Sequence, residues 1–249
     1  MVSPKRIVGI IPARLDSQRL PGKVLLPICG RPMLHRVFER VSACPLLTEL
    51  CVATDSEEVR RYCLQNQIPV RMTAATHGSG TERIVEVMQK MPADVYVNIQ
   101  GDEPMIQASH LDLLIEPFCT RPGIQVTTLK TPLREEEAAN PHVVKVVANL
   151  RGEALYFSRS PIPFRRNTSL PLPFYKHLGL YAYRREALER YEALPPTPLE
   201  QMEQLEQLRF LEHGVPIQVA ETAEDTIGVD TEEDLRAVTR YFERLRAEV

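Results

Sequence analysis

Between Ile7 and Leu129 the chain alternates short β-branched runs with segments of helical spacing, and this alternation limits the possible folds more than any other feature. Ile7–Ile11 is a β-branched run ended by Pro12. Met33, Leu34, Val37 and Val41 recur at the spacing of one helix face. Leu50–Ala53 predicts a second strand, Glu57–Leu64 a helix, Val70–Met72 a third strand and Thr81–Met91 an amphipathic helix. Val95, Val97 and Ile99 alternate into a fourth strand that ends at Gln100-Gly101-Asp102. A helix from about Ser109 to Phe118 and a strand over Gln125–Leu129 follow. Strands joined by crossover helices make βαβ units, so the fold class is α/β with a mostly parallel sheet covered on both faces. No internal repeat is present.

After residue 130 the texture changes. His142–Ala148 and Ala154–Phe157 read as neighbouring strands, and 160–176 as a connector rich in proline (Pro161, Pro163, Pro171, Pro173). Leu178–Tyr183 predicts a strand leading into a helix that runs through Tyr191. Pro195-Pro196 interrupts, and Leu199–His213 resumes as one helix with Gly214 as its stop. A strand near Ile217–Ala220 and a closing helix from about Thr231 complete the chain. These readings give a single α/β domain with a small β-rich inserted section near 130–190. Leu170, Leu172, Phe174 and Tyr175 place more apolar surface there than a surface loop requires, as a partner interface would.

Composition excludes several classes. With 43% hydrophobic and 25% charged residues the 249-residue chain reads as soluble and globular. A formal charge of −3 points to neither nucleic acid nor an anionic membrane surface. The apolar run after Lys5-Arg6 is interrupted by Pro12 and Arg14, too short for a membrane span and without a cleavage pattern. Five scattered cysteines with no Cys-x-x-Cys pair suggest reduced thiols in a cytoplasmic protein.

The chemistry falls on loops that follow strands, where an open parallel sheet places its ligands. Pro12-Ala13-Arg14-Leu15-Asp16-Ser17-Gln18-Arg19-Leu20-Pro21-Gly22-Lys23 sets three cations close to a strand end, with Gly22 allowing close backbone approach. Such a loop can wrap a triphosphate and face charge building on a leaving diphosphate, and it could equally be a solvated basic loop. It is not a Walker A loop, since Val24 follows Lys23 and the upstream glycine is missing. Gly78-Ser79-Gly80-Thr81-Glu82-Arg83 reads as a helix start, with Ser79 as cap and Glu82 as its reciprocal partner. Of the adjacent acids Asp102 and Glu103, side chains at a strand end point opposite ways, so only one of them can face a metal. Asp230 precedes a helix, where an aspartate can also be an ordinary cap.

The Pro-Ala-Arg-x-x-Ser-x-Arg-Leu-Pro-Gly-Lys segment resembles the signature of cytidylyltransferases that activate acid sugars. His77-Gly78-Ser79-Gly80-Thr81-Glu82-Arg83, Val97-Asn98-Ile99-Gln100-Gly101-Asp102-Glu103-Pro104 and Leu205-Glu206-Gln207-Leu208-Arg209 are similar to the 3-deoxy-manno-octulosonate (Kdo) cytidylyltransferase family within that group. Tyr156-Phe157-Ser158-Arg159, Lys176-His177-Leu178-Gly179-Leu180-Tyr181 and Gly228-Val229-Asp230-Thr231 agree, so the resemblance runs in order from about Ile7 to Leu235. It departs at Asp225-Thr226-Ile227, which replaces the family's usual approach to Asp230.

The resemblance implies a nucleotidyltransferase fold and the conversion of CTP and Kdo to CMP-Kdo and diphosphate, a step toward lipopolysaccharide. It implies that Arg14 and Lys23 clamp the triphosphate, with Pro12, Ala13, Ser79, Gly80, Thr81, Arg83 and Gln100 also binding the nucleotide. Asp102 and Asp230 would hold Mg²⁺, a second ion sitting on the triphosphate. Arg14, Lys23, Asp102 and Asp230 form the implied catalytic set, and Arg159, His177, Tyr181, Glu206 and Gln207 the sugar-binding set. From the residues alone, His177 could be a satisfied core histidine, and Glu206 and Gln207 a solvated helix face. The family also implies a homodimer through the inserted section, with no nucleic acid and no membrane insertion. Related acid sugars, 8-amino-Kdo or sialic acid, and a catalytically silent sugar- or nucleotide-binding regulator are the alternative readings.

Overall fold

The computed structural model describes residues 4–16, 19–167, 169–170 and 172–247; Met1–Ser3, Ser17 and Gln18 of the first loop, and Pro171 of the connector lie outside the described residues. The chain divides into two compact units, one built from Lys5–Asp112 and the chain from Thr226 onward, the other centred on Leu113–Asp225.

The first unit is a parallel α/β layer. Strand β1 (Ile7–Ala13) is followed by the Lys23–Leu25 turn and a small ribbon, β2 (Pro27–Ile28) with β3 (Arg31–Pro32). Helix α1 (Met33–Val41), β4 (Glu49–Thr54), α2 (Glu57–Gln65), β5 (Val70–Met72), α3 (Gly80–Lys90) and β6 (Val95–Asn98) continue the alternation. The order β6-β1-β4-β5 is parallel throughout. Val8, Ile10, Ile11, Val52, Val95 and Val97 are fully buried, as strands covered on both faces require. Strand β1 outruns its β-branched core: Pro12 lies opposite Ala53 and Ala13 opposite Thr54. Proline lacks an amide hydrogen, but at a strand end that loss is tolerated, so Pro12 does not end the strand.

Helix starts are set by local chemistry. Ser56 Oγ accepts from Val59 N at 3.3 Å, and Glu57 and Glu58 add negative charge to the first turn of α2. Helix α4 (Ala108–Thr120) leads into the second unit. There β7 (Val126–Leu133), the short α5 (Glu135–Ala138), β8 (Lys145–Ala148), β9 (Ala154–Ser158) and β10 (Phe174–Arg184) precede α6 (Arg185–Ala193), α7 (Pro198–Glu203), α8 (Gln207–Glu212) and β11 (Ile217–Glu221). Its sheet runs β11-β7-β10-β8-β9, parallel only between β11 and β7. The register slips between Leu178 and Tyr181.

Three expectations change here. The strand predicted at Leu178–Tyr183 starts earlier, at Phe174, so 174–176 leave the connector. Phe174 is buried with Leu133 and Ala138 under the Arg165 guanidinium, and Lys130 Nζ sits 3.5 Å from the Tyr175 ring centroid. Of the four residues expected outside, only Leu170 and Leu172 are exposed. The single helix over Leu199–His213 is two helices, because Gln204 adopts left-handed backbone (φ 54°) between them. Arg159 makes that break tolerable by donating to the carbonyls of Glu203 (2.8 Å) and Gln204 (3.4 Å).

The closing helix α9 (Glu232–Ala247) returns to the first unit. Val238 and Phe242 pack with Leu20, Ile28, Met33 and Val229 in one cluster, capped by Arg36 and Arg40 over the Phe242 ring. That packing places Asp230 within the same unit as Lys23.

Candidate active site

At the carboxyl ends of β1 and β6, three sequence-distant groups meet. Lys23 Nζ donates to Asp102 Oδ2 at 2.5 Å, to Asp230 Oδ1 at 2.9 Å and to the Val229 carbonyl at 3.2 Å. Arg19 Nη2 donates to the other oxygen of Asp230 at 2.8 Å. Two carboxylates therefore converge on one ammonium. Burial alone would lower the Lys23 pKa, but Asp102 and Asp230 outweigh it and the lysine ends above its ordinary value. Burial would likewise raise Asp230, yet Lys23 and Arg19 reverse the sign and hold its carboxyl below the usual aspartate range.

Backbone constraints build this meeting. Gly22 stands at φ 66° with open space around it. Its role is therefore the left-handed turn into Lys23, not the close approach expected from the sequence. Close approach occurs instead at Gly101, where a Cβ would lie 2.7 Å from the Pro12 carbonyl oxygen. Val229 N donates to the Asp102 carbonyl at 2.9 Å. Glu103 turns away and accepts from Thr226 Oγ1 at 2.8 Å, so the two adjacent acids part as a strand end dictates. Asp230 is not the helix cap. Thr231 Oγ1 accepts from Asp234 N at 3.2 Å, and Asp234 Oδ2 accepts from the amides of Asp230 and Thr231. That pair ties down the start of α9 and leaves the Asp230 carboxylate to Lys23 and Arg19.

The loop before α3 stands beside β1. Ser79 Oγ accepts from Glu82 N at 3.2 Å, the expected cap. Glu82 reaches back to Gly78 N at 2.6 Å, one residue beyond a capping box. Arg14 does not project into open space. Its guanidinium donates to the carbonyls of His77, Gly78 and Ser79, the last at 3.1 Å. Arg83 is fully buried and donates to Thr73 Oγ1 and to Asp55 Oδ2, the latter at 3.1 Å. Thr81 is buried, and Gly80 lies against Pro12. Ala13 is buried at the end of β1, and the Gln100 carbonyl accepts from Glu103 N at 3.2 Å. Among the described residues, Arg83 Nε and Asn98 Oδ1 are buried without a hydrogen-bond partner.

In the second unit the remaining candidates cluster around β10 and α8. His177 Nε2 lies 3.0 Å from Thr128 Oγ1 and 2.9 Å from the Tyr181 hydroxyl. Thr128 Oγ1 also donates to the Leu180 carbonyl at 2.8 Å, so one hydroxyl supports the register slip in β10. Burial pushes the His177 ring down to about 3, which keeps it neutral, and raises the Tyr181 phenol well above its ordinary value. From His177 an aromatic run passes through Tyr181, Tyr183 and Phe210 to Tyr191, whose hydroxyl lies 3.5 Å from Glu206 Oε2. Glu206 and Gln207 begin α8; Gln207 is buried, and its Nε2 has no hydrogen-bond partner among the described residues. Arg159 is held by carbonyls of Glu203, Gln204 and Pro141, and Glu203 in turn accepts from Ser158 Oγ at 2.6 Å.

Known proteins fit this geometry. A family described as Cytidylyltransferase matches residues 8–222. The chain is 51% identical to the 3-deoxy-manno-octulosonate cytidylyltransferase of Acidobacterium capsulatum, over 97% of this chain and 98% of that one. It is 50% identical to the protein of that name from Koribacter versatilis, over 94% of this chain and 88% of that one. The chain belongs to the 3-deoxy-manno-octulosonate cytidylyltransferase family. A solved structure of a CMP:2-keto-3-deoxy-manno-octonic acid synthetase complexed with CTP matches it with a TM-score of 0.93 at 44% identity, covering 96% of this chain and 99% of that one.

Sequence reasoning about this cytidylyltransferase missed side chains that act through others. Glu203, which fixes Ser158 and Arg159, carries no motif of its own. Glu82 and Glu86 sit one turn apart on α3 and both reach back to the preceding loop; that i, i+4 spacing was the available signal. No helix of the described residues is long and apolar enough to cross a membrane.

Proposed function

We propose that this chain transfers the cytidylyl group of CTP to Kdo, releasing diphosphate and forming CMP-Kdo in the cytoplasm, as a step toward lipopolysaccharide. The observation that carries the reading is the convergence of Asp102 and Asp230 on Lys23 at the carboxyl end of a parallel sheet. The anomeric hydroxyl of Kdo attacks the α-phosphorus in line, and the diphosphate leaves. Such a displacement needs positioning and charge neutralisation and no protein nucleophile.

The donor set suits Mg²⁺. Among the described residues no three His, Cys, Asp or Glu side chains group as a metal site, but two hard carboxylates already share one positive charge. Mg²⁺ commonly takes one or two protein carboxylates and completes its shell with water and phosphate. Asp102 and Asp230 would hold the ion, which when bound supplies Lewis acidity at the phosphoryl oxygen and lowers the pKa of the attacking hydroxyl. Lys23 then carries its charge to phosphate oxygens. Arg14 sets the loop at Ser79-Gly80-Thr81 through its carbonyls, and the helix-start amides there suit a nucleotide edge. Arg83 and Gln100 support the same nucleotide side.

Arg159, His177, Tyr181, Glu206 and Gln207 serve the sugar. A guanidinium has five N–H donors, and Arg159 commits three contacts to carbonyls, leaving donors for the Kdo carboxylate. Neutral His177 and the unpartnered Gln207 amide suit uncharged hydroxyls. A homodimer through the β-rich section accords with the exposed Leu150, Leu155, Phe164 and Leu172; light scattering that returned the 28.3 kDa of one chain would exclude it. The activity is tested by incubating CTP and Mg²⁺ with Kdo, 8-amino-Kdo or sialic acid and following diphosphate release. Release with Kdo at the highest kcat/KM is expected, and release with none of them removes the reading.

A further inference from the structure

The segment Thr73–Ser79, which joins β5 to α3, is held from four sides by named side chains. Glu86, on the second turn of α3, accepts from Ala74 N at 2.8 Å and lies 2.7 Å from His77 Nε2 with the same carboxylate oxygen. Its other oxygen takes Lys90 Nζ at 2.6 Å. Glu82 holds Gly78 N, Arg83 holds Thr73, and Arg14 holds the carbonyls of His77, Gly78 and Ser79. Glu86 and His77 each expose about a fifth of the side chain, 19% in both cases. Neither side chain has a part in the chemistry proposed above.

We propose that Glu86, acting through His77 and the Ala74 amide, is a positioning residue for nucleotide recognition. It sets the path of 74–77, and with it the carbonyls on which Arg14 rests and the start of α3 at Ser79-Gly80-Thr81. The inference rests on the reading that this loop faces the nucleotide. The physical argument is one of supply. A loop between a three-residue strand and a helix has little sequence of its own to hold it, and each backbone group left unpaired would let it wander. A carboxylate that accepts a main-chain amide and an imidazole together removes both freedoms at once. Lys90, the Ala74 amide and His77 hold the Glu86 carboxyl down at about 2, so the support stays ionised at any working pH. A group that held the fold alone would not need to end on the loop that Arg14 also grips.

The test compares Glu86→Ala, Glu86→Gln, His77→Ala and His77→Gln with the wild-type enzyme, by steady-state kinetics and by calorimetric titration of CTP without sugar. Glu86→Ala should raise the Kd and KM for CTP between about 10- and 100-fold, the loss of one charge-assisted support. The KM for Kdo and kcat at saturating CTP should stay within about 2-fold, because binding and chemistry separate in this way when only one half-site is loosened. His77→Ala should follow in direction. Glu86→Gln and His77→Gln, which keep an acceptor and a donor in place, should recover much of the CTP affinity, which a purely structural role would not predict at equal melting temperature. Lys90→Ala, on the solvent side of Glu86, should bind CTP as wild type does. If Glu86→Ala fails to fold, Glu86→Gln and His77→Ala decide. Should all the Glu86 and His77 variants bind CTP normally while Lys23→Ala loses it, the positioning role is wrong and the nucleotide reading stands. Should Lys23→Ala also bind CTP normally, the nucleotide reading itself falls. A parallel rise in both KM values would equally overturn the proposal.

Discussion

The two units solve the same problem, fixing polar side chains in place, by different means. In the parallel unit the polar groups satisfy one another: Lys23, Asp102, Asp230 and Arg19 form a chain of opposite charges at strand ends. In the mixed unit they are satisfied by main chain and rings. Arg159 donates to carbonyls, and neutral His177 lies between Thr128, Tyr181 and the edge of Phe157 at 4.9 Å between centroids. A charge chain can exchange partners with a charged ligand at little cost, whereas groups tied to backbone and aromatic rings keep their geometry when a ligand arrives. The first arrangement suits a phosphate and a metal ion, and the second a hydroxylated acid sugar whose one carboxylate meets Arg159.

Breaking the charge chain should have the largest effect. Asp102→Asn keeps shape but loses the charge that answers Lys23 and a hard cation. We expect turnover to fall by at least about a thousandfold, near 4 kcal/mol of barrier, with the melting temperature close to wild type and CTP binding largely kept. Activity within about tenfold of wild type would mean that Asp102 is not at the reaction centre.

Arg159→Ala attacks the other unit. The KM for Kdo should rise by about one to two orders of magnitude, as for a lost charge-assisted contact, and calorimetric CTP affinity should hold. Because Arg159 also carries the carbonyls of Glu203 and Gln204, the variant should melt earlier as well. Equal losses for CTP and Kdo would erase the distinction between the units.

The buried imidazole sharpens the comparison through pH. The folded pKa of His177, about 3, lies below its unfolded value. The unfolded chain therefore binds the extra proton, and the stability from this site is complete above about pH 6.5 and declines as pH falls, by up to about 1.4 kcal/mol per unit. Urea titrations between about pH 6.5 and 4.5 should show that slope, and His177→Gln should flatten it. An unchanged slope would place the imidazole in solvent.

The smallest effect separates two similar caps. Ser56→Ala and Ser79→Ala should each cost about 1 kcal/mol of stability, but only Ser79→Ala should also weaken CTP binding. Equal CTP affinity in both variants would mean that the Ser79 helix start does not touch the nucleotide.

How far the sequence was legible also differs between the units. In the parallel unit, elements followed from local pattern: short apolar runs became β1, β4 and β6, and α1 buried Met33, Leu34, Val37 and Val41 as their spacing required. The motif residues there could be named because a parallel sheet delivers its loops to one edge. In the mixed unit, periodicity could not show that Gln204 would break the Leu199–His213 pattern, since the carbonyls it frees are answered by Arg159 from a different strand end. Phe174 looked like surface beside prolines and is core, because Arg165 and Leu133 come to it from elsewhere in the chain.

What the sequence determined by itself was the alternation of strands and helices, the cap at Ser79, and the identity of the charged groups near strand ends. Each follows from forces that act over a few residues: side-chain shape, amide capping and apolar period. Tertiary structure alone decided that Asp230 meets Lys23, that Thr231 with Asp234 takes over the helix start and leaves Asp230 to the site, and that Arg14 rests on the loop carbonyls at 77–79. Those outcomes depend on where α9 packs and how closely Gly101 lets one strand end approach another. Contacts between groups so far apart in the chain are set by the core that both segments share, and no local pattern carries them.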